Sequence, residues 1–103
     1  MNESSNLFHI AEPSDWDQRT DSYAPAAFET EGFIHCSTAD QLEAVAASFY
    51  AGRDDVILLT VDPKALVSGV VYEDLYEIGE EFPHIYGPIP LSAIVESRPY
   101  RVS

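Results

Sequence analysis

Glu31-Gly32-Phe33-Ile34-His35-Cys36-Ser37-Thr38 is a strand-like run handed directly to a helix, and the rest of the chain is read outward from it. Side chains alternate along a strand, so Phe33, His35 and Ser37 share one face while Ile34 and Cys36 share the other. A free cysteine behaves as a small hydrophobe, which makes Ile34 and Cys36 the core pair. Cys36 has no positive neighbour in sequence to activate a thiol, so it reads as structural. His35 and Ser37 then face a second surface, where an imidazole needs hydrogen-bond partners or a cavity. Beyond them, Thr38 and Gln41 have capping-box spacing and Asp40 sits in the first turn. Leu42, Val45, Ala46, Phe49 and Tyr50 recur at helical spacing until Gly52 ends the run.

The other two histidines also lie in strand-like runs. Phe82-Pro83-His84-Ile85-Tyr86-Gly87-Pro88 places Phe82, His84 and Tyr86 together with Ile85 across, in a backbone stiffened by its prolines. In Leu7-Phe8-His9-Ile10-Ala11 the same logic sends Phe8 and Ile10 to the core and His9 to the opposite face. If the three strands are neighbours, His9, His35, Ser37, His84 and Tyr86 line one cleft, with Trp16 as an apolar wall or core anchor. Glu31 and Glu73 are candidate bases in a chain whose carboxylates mostly serve its surface. No two histidines stand at i, i+2 or i, i+4, so no metal site is expected.

Between these runs, Ser14 or Asp15 caps a helical segment through Arg19, and Ala26 to Glu29 forms one more turn. Val56 to Val61 is continuous and branched, as in a strand covered on both faces, and Asp62-Pro63 stops it in a helical turn. Val70 to Glu73 is a strand, and Leu75 to Ile78 either pairs with it or wanders. Ile94 to Arg98 begins a closing strand that extends towards Val102. This order implies a single α+β domain over residues 1–103, a mixed twisted sheet with two helices.

Eighteen acidic residues against five basic ones give a formal charge of −13, which argues against nucleic-acid binding by a basic face. No apolar run approaches the ~18 residues that a membrane helix needs. Met1 to Asn6 is polar and acidic, unlike a secretory signal, and one cysteine forms no internal disulfide. A cytoplasmic location is therefore expected.

The motifs at Phe8 to Ala11, Trp16, Glu31 to Ser37, Tyr72-Glu73 and Phe82 to Pro88 resemble the bacterial domain-of-unknown-function family 952, over roughly residues 7 to 97. The order of elements is also similar to the NAD-binding lobe of RNA 2′-phosphotransferases, and so to the ADP-ribosyltransferase fold. There the first strand carries a Tyr-His-Gly-Thr-like motif, matched here by Phe8-His9-Ile10-Ala11. A later Val-His-Leu-Ser strand before a helix is matched by Ile34-His35-Cys36-Ser37, and Val61-Asp62 matches a strand ending in Ile-Asp. Ile10 and Ala11 depart from that pattern. Ile85-Tyr86 stands near the glutamate of transferases that modify proteins.

This second resemblance implies NAD, ADP-ribose or a related nucleotide as ligand, with His9 on a ribose and His35 with Ser37 beside the nicotinamide. Together with the cleft reading, it makes His35, His84 and Tyr86 candidate catalytic groups of a transferase, and His9, Trp16 and Ser37 candidate cofactor contacts. The competing expectations are a non-catalytic module that binds a small molecule or peptide, and a purely structural role for the histidines.

Overall fold

The computed structural model describes residues 6–75 and 77–102. Met1 to Ser5, Tyr76 and Ser103 lie outside them, and with them the reading of the amino terminus and part of that of Leu75 to Ile78.

The branched run Val56–Val61 becomes β4, the middle strand between β1 (Leu7–Ala11) and β8 (Ile94–Tyr100), both antiparallel to it. Alternation along β4 feeds two cores. Val56 and Leu58 join Ile10, Ala46 and Val102 under α3 (Ala39–Phe49), with Phe8, Leu42 and Tyr50 packed against them. Leu59 and Val61 join a larger core of Leu7, Ala11, Tyr23, Ile34, Cys36, Ile85, Ile89 and Ala93. β4 is thus apolar on both faces because both are covered.

The second sheet has the order β3-β6-β5, from Ile34–His35, Phe82–Ile85 and Val70–Glu73. A third is the two-residue pair β2 (Ser22–Tyr23) with β7 (Ile89–Pro90). One antiparallel bridge, Phe8 to Ser37, joins the first sheet to the second through reciprocal backbone hydrogen bonds of 2.8 and 2.7 Å. Two short helices, α1 (Pro13–Asp17) and α2 (Phe28–Glu31), and two single 3-10 turns, Pro63–Ala65 and Leu91–Ala93, complete the described elements.

The small α+β domain is as expected, but its sheet is not. Every strand pair among the described residues is antiparallel, and the strands form three small sheets instead of one mixed sheet. Three helices replace two, α1 stops at Asp17 instead of continuing through Arg19, and the strand at residue 33 shortens to Ile34–His35. Two-residue strands such as β2 and β7 carry no periodicity to detect. The capping box at Thr38 and Gln41 forms as the spacing predicts.

Two glycines are required where they stand. Gly32 caps α2 at φ 83°, a left-handed turn that L side chains adopt at a cost. A Cβ on buried Gly87 would run into the Ser68 side chain.

Candidate functional site

Gly32's turn sets the geometry of the site. It folds the chain back so that Glu31, at the end of α2, meets His35 on β3, with Nε2 3.1 Å from Glu31 Oε1. Both side chains are 41% exposed, so this pair stands open to solvent. It sits in the wall of a groove of about 770 Å³, within the range of small-molecule sites. The floor is β1 with Phe8, and β3 with its flanking residues Phe33 and Ser37. One side is the face of α3 with its C-cap, from Asp40 to Tyr50, and a lip carries Ile78 and Glu80 from the β5–β6 connection and Phe82 from the start of β6. Gln41 ties that lip to α3, its Nε2 donating to Glu81 O at 2.7 Å and to Glu80 Oε2 at 3.1 Å.

His35 and His84 are directly opposed across the β3–β6 pair, and their rings meet edge to face at 5.2 Å. Strand parity thus brings these two histidines together. Phe33 stacks on His84 at 4.4 Å and contacts the His35 and Tyr86 rings at 4.9 and 5.5 Å. His84 Nδ1 donates to Glu73 Oε1 at 2.8 Å, and the Tyr86 hydroxyl donates to the same oxygen at 2.7 Å. The Tyr86 and His84 bonds hold the Glu73 carboxyl below the usual carboxylate range, while Glu73 in turn raises the Tyr86 hydroxyl. His84 Nε2 is buried and has no hydrogen-bond partner among the described residues.

His9 lies elsewhere. Its pairing partner on β4 is Leu59, so it shares the face of Leu7 and Ala11 over the larger core. The Phe8–Ile10 face is also core, under α3. Choosing the more apolar face cannot orient a strand that is covered on both sides. His9 Nδ1 donates to the His35 carbonyl at 2.6 Å, which leaves Nε2 of the neutral ring to accept from the Tyr23 hydroxyl at 2.8 Å. Burial is the main reason its pKa falls to about 4. Burial likewise pushes the Tyr23 hydroxyl up and the Cys36 thiol to about 12, so that thiol stays protonated at neutral pH.

Of the residues singled out from sequence, His9, His35 and Ser37 therefore line the groove, His9 only as a nearly buried edge. His84, Tyr86 and Glu73 form an adjoining cluster behind Phe33, outside the lining. Trp16 also lies outside it, packed on Tyr23 at 5.6 Å with the Arg19 guanidinium 4.0 Å over its ring. The three imidazoles do not share one hollow. The α3 wall, with Phe49 and Tyr50, and the Ile78–Phe82 lip were not anticipated. Helical spacing puts Phe49 and Tyr50 on one apolar stripe, but only Tyr50 packs against the core, and Phe49 is 70% exposed at the end of the helix.

No helix among the described residues is long and apolar enough to cross a membrane. No group of three or more His, Cys, Asp or Glu among them is placed to hold a metal ion.

Among curated proteins no match is found. A crystal structure of protein CC0527 from Caulobacter crescentus is similar, with a TM-score of 0.78, 26% identity and coverage of 91% of this chain and 84% of that one. The solution NMR structure of CC0527 shares the fold at a TM-score of 0.78 and 24% identity, covering 96% and 87% of the two chains. The family model for proteins of unknown function called DUF952 matches residues 10–97, the span that holds β4, α3 and every wall of the groove except Phe8 and His9. The chain therefore belongs to the DUF952 family.

Proposed function

We propose that the groove beside His35 is a small-molecule binding site, with the Glu31–His35 pair as its polar recognition group. One observation carries this reading: a half-exposed, hydrogen-bonded acid–imidazole pair stands in the wall of a concave, mainly apolar channel of ligand size. Phe8, Phe33, Phe49 and Tyr50 offer apolar surface for the body of a ligand. With Nε2 of His35 bonded to Glu31, the pair would bond the ligand's polar end through the Glu31 carboxylate, with His35 tuning its charge. His84 and Tyr86 act from behind. Phe33 stacks on His84, whose ring Glu73 fixes, so the cluster positions the floor and makes no ligand contact.

A dinucleotide is the reading implied by the resemblance to ADP-ribosyltransferases, and Ser37 with the start of α3 beside His35 is what favours it. A helix N-terminus attracts phosphate, but Asp40 already places a carboxylate in this first turn. No lysine or arginine lines the groove to offset it. A neutral fragment such as nicotinamide meets no such penalty.

The test is a ligand screen by thermal shift and amide NMR on the wild type and His35→Ala, including NAD, ADP-ribose and nicotinamide beside a fragment library. The expected result is stabilisation by at least one compound without negative charge. Its shifts should map to Phe33, His35, Phe49 and Tyr50, and the effect should be lost in His35→Ala. Hits that map only outside the groove, or none at millimolar concentration, would overturn the reading.

A further inference from the structure

Resting on the small-molecule reading of the groove, we infer that its ligand is an organic cation: a protonated amine carried on an aromatic or aliphatic body. The rim and the walls point the same way. Glu12, Asp15, Glu31, Asp40 and Glu80 all line the groove, and no lysine or arginine does. Glu12 is covered by Arg53, whose guanidinium bonds both of its oxygens, and Glu31 is engaged by His35. Asp15, Asp40 and Glu80 have no basic partner among the described residues. Asp15 accepts only the Ala26 amide at 3.3 Å, and Glu80 accepts from neutral Gln41.

These three carboxylates come from separate elements of the lining: Asp15 from α1, Asp40 from the first turn of α3, and Glu80 from the β5–β6 connection, which Gln41 ties to that first turn. Charges in a cleft with low-dielectric walls act over a longer distance than charges on a convex surface. The walls add to this. Phe8, Phe33 and Tyr50 line the groove, and aromatic faces carry negative quadrupole potential, which attracts ammonium groups and repels carboxylates. The Arg53 guanidinium already stands 5.9 Å over the Tyr50 ring, and His84 takes one face of Phe33. A ligand with an apolar body and one positive end therefore satisfies both the aromatic walls and the acidic rim. An anionic ligand of equal size satisfies only the walls.

The experiment compares three probes with the same body and different end charge: 2-phenylethylamine, 2-phenylethanol and 3-phenylpropionate. Affinities are measured by NMR titration at pH 7 in 50 mM and 500 mM NaCl. Ala44→Lys is measured in parallel, since Ala44 is an exposed position on the groove face of α3 where an added cation fits without disturbing the core. The amine is expected to bind at least about fivefold more tightly than the alcohol, and the carboxylate most weakly, with the preference shrinking in high salt. In Ala44→Lys the amine should weaken and the carboxylate strengthen.

Equal binding of amine and alcohol, or preference for the carboxylate, would overturn the cation inference while leaving the groove reading intact. Amine shifts spread over the acidic surface and insensitive to Ala44→Lys would also overturn it, because they would report the chain's overall charge. If no probe shifts groove resonances, and the broader screen finds no groove ligand either, both readings fail together.

Discussion

His9 and His84 are the two nearly buried imidazoles of this molecule, and they are handled in opposite ways. His9 is saturated: Nδ1 donates to a carbonyl and Nε2 accepts from Tyr23. His84 is bonded on one side by Glu73 and left without a partner on the other. A buried polar group without a partner costs about 1–3 kcal/mol, so His84 carries a penalty that His9 avoids. A saturated ring in a sealed core ties strands together and has nothing left to offer a ligand. The half-satisfied ring instead lies against Phe33 and His35, behind the wall of the open groove and outside its lining. Saturation, more than burial, separates the two rings: His9 edges the groove with no ring nitrogen left to offer, whereas His84 lies behind Phe33 with one nitrogen unpartnered.

The largest way to test that contrast is His9→Ala. It leaves the His35 carbonyl and the Tyr23 hydroxyl without their partner and opens a cavity, so chemical denaturation should show a loss of about 2–5 kcal/mol. Acid gives the next effect. The folded pKa of about 4 lies below the ordinary 6.5, so the unfolded chain binds this proton first and His9 stabilises fully only above pH 6.5. That contribution is lost as pH falls from 6.5 through about 4, and at about 1.4 kcal/mol per pH unit it amounts to roughly 3 kcal/mol. Glu73 and Asp55, whose pKa values are lowered by their partners, add losses of the same sign at lower pH. Stability of the wild type and of His9→Gln, measured from pH 7 to 4, should therefore converge as the pH drops.

Tyr23→Phe removes the donor to His9 Nε2 and gives the core ring the same defect that His84 already has. A loss of about 1–3 kcal/mol in denaturant titration is expected. The converse is His84→Phe. It breaks the bond to Glu73 but also removes the unpartnered nitrogen, so the two effects offset and the change should stay within about 1 kcal/mol. A larger loss there would mean that His84 is saturated in solution and the contrast is false. His35→Gln should be the mildest, within about 0.5–1 kcal/mol, because its pair with Glu31 is half exposed.

The legible part of the fold was the part with strong local signals. The capping box at Thr38 and Gln41, the covered strand Val56–Val61 and the helical turn after Asp62 all form where the residues imply. Strand parity also brought His35 to His84, because β3 and β6 each have one plainly apolar face. For His9 it gave the groove edge but not its burial: Ile10 and Phe8 pack in a core as expected, yet the His9 face of β1 is covered too, and no pattern in the strand shows that second cover. The groove's second wall was hidden for a different reason. Ile78, Glu80 and Phe82 reach α3 through Gln41, some forty residues away in sequence, and no local pattern encodes that contact.

The most direct test of the account is the response of the three histidine rings, followed by NMR through a titration with 2-phenylethylamine at pH 7. The His35 ring should shift progressively, with Phe49 and Tyr50, while His9 keeps the signature of a neutral ring protonated at Nδ1. A His9 ring that moves while His35 stays still would contradict the account, because it would put the ligand against the saturated ring and away from the Glu31–His35 pair.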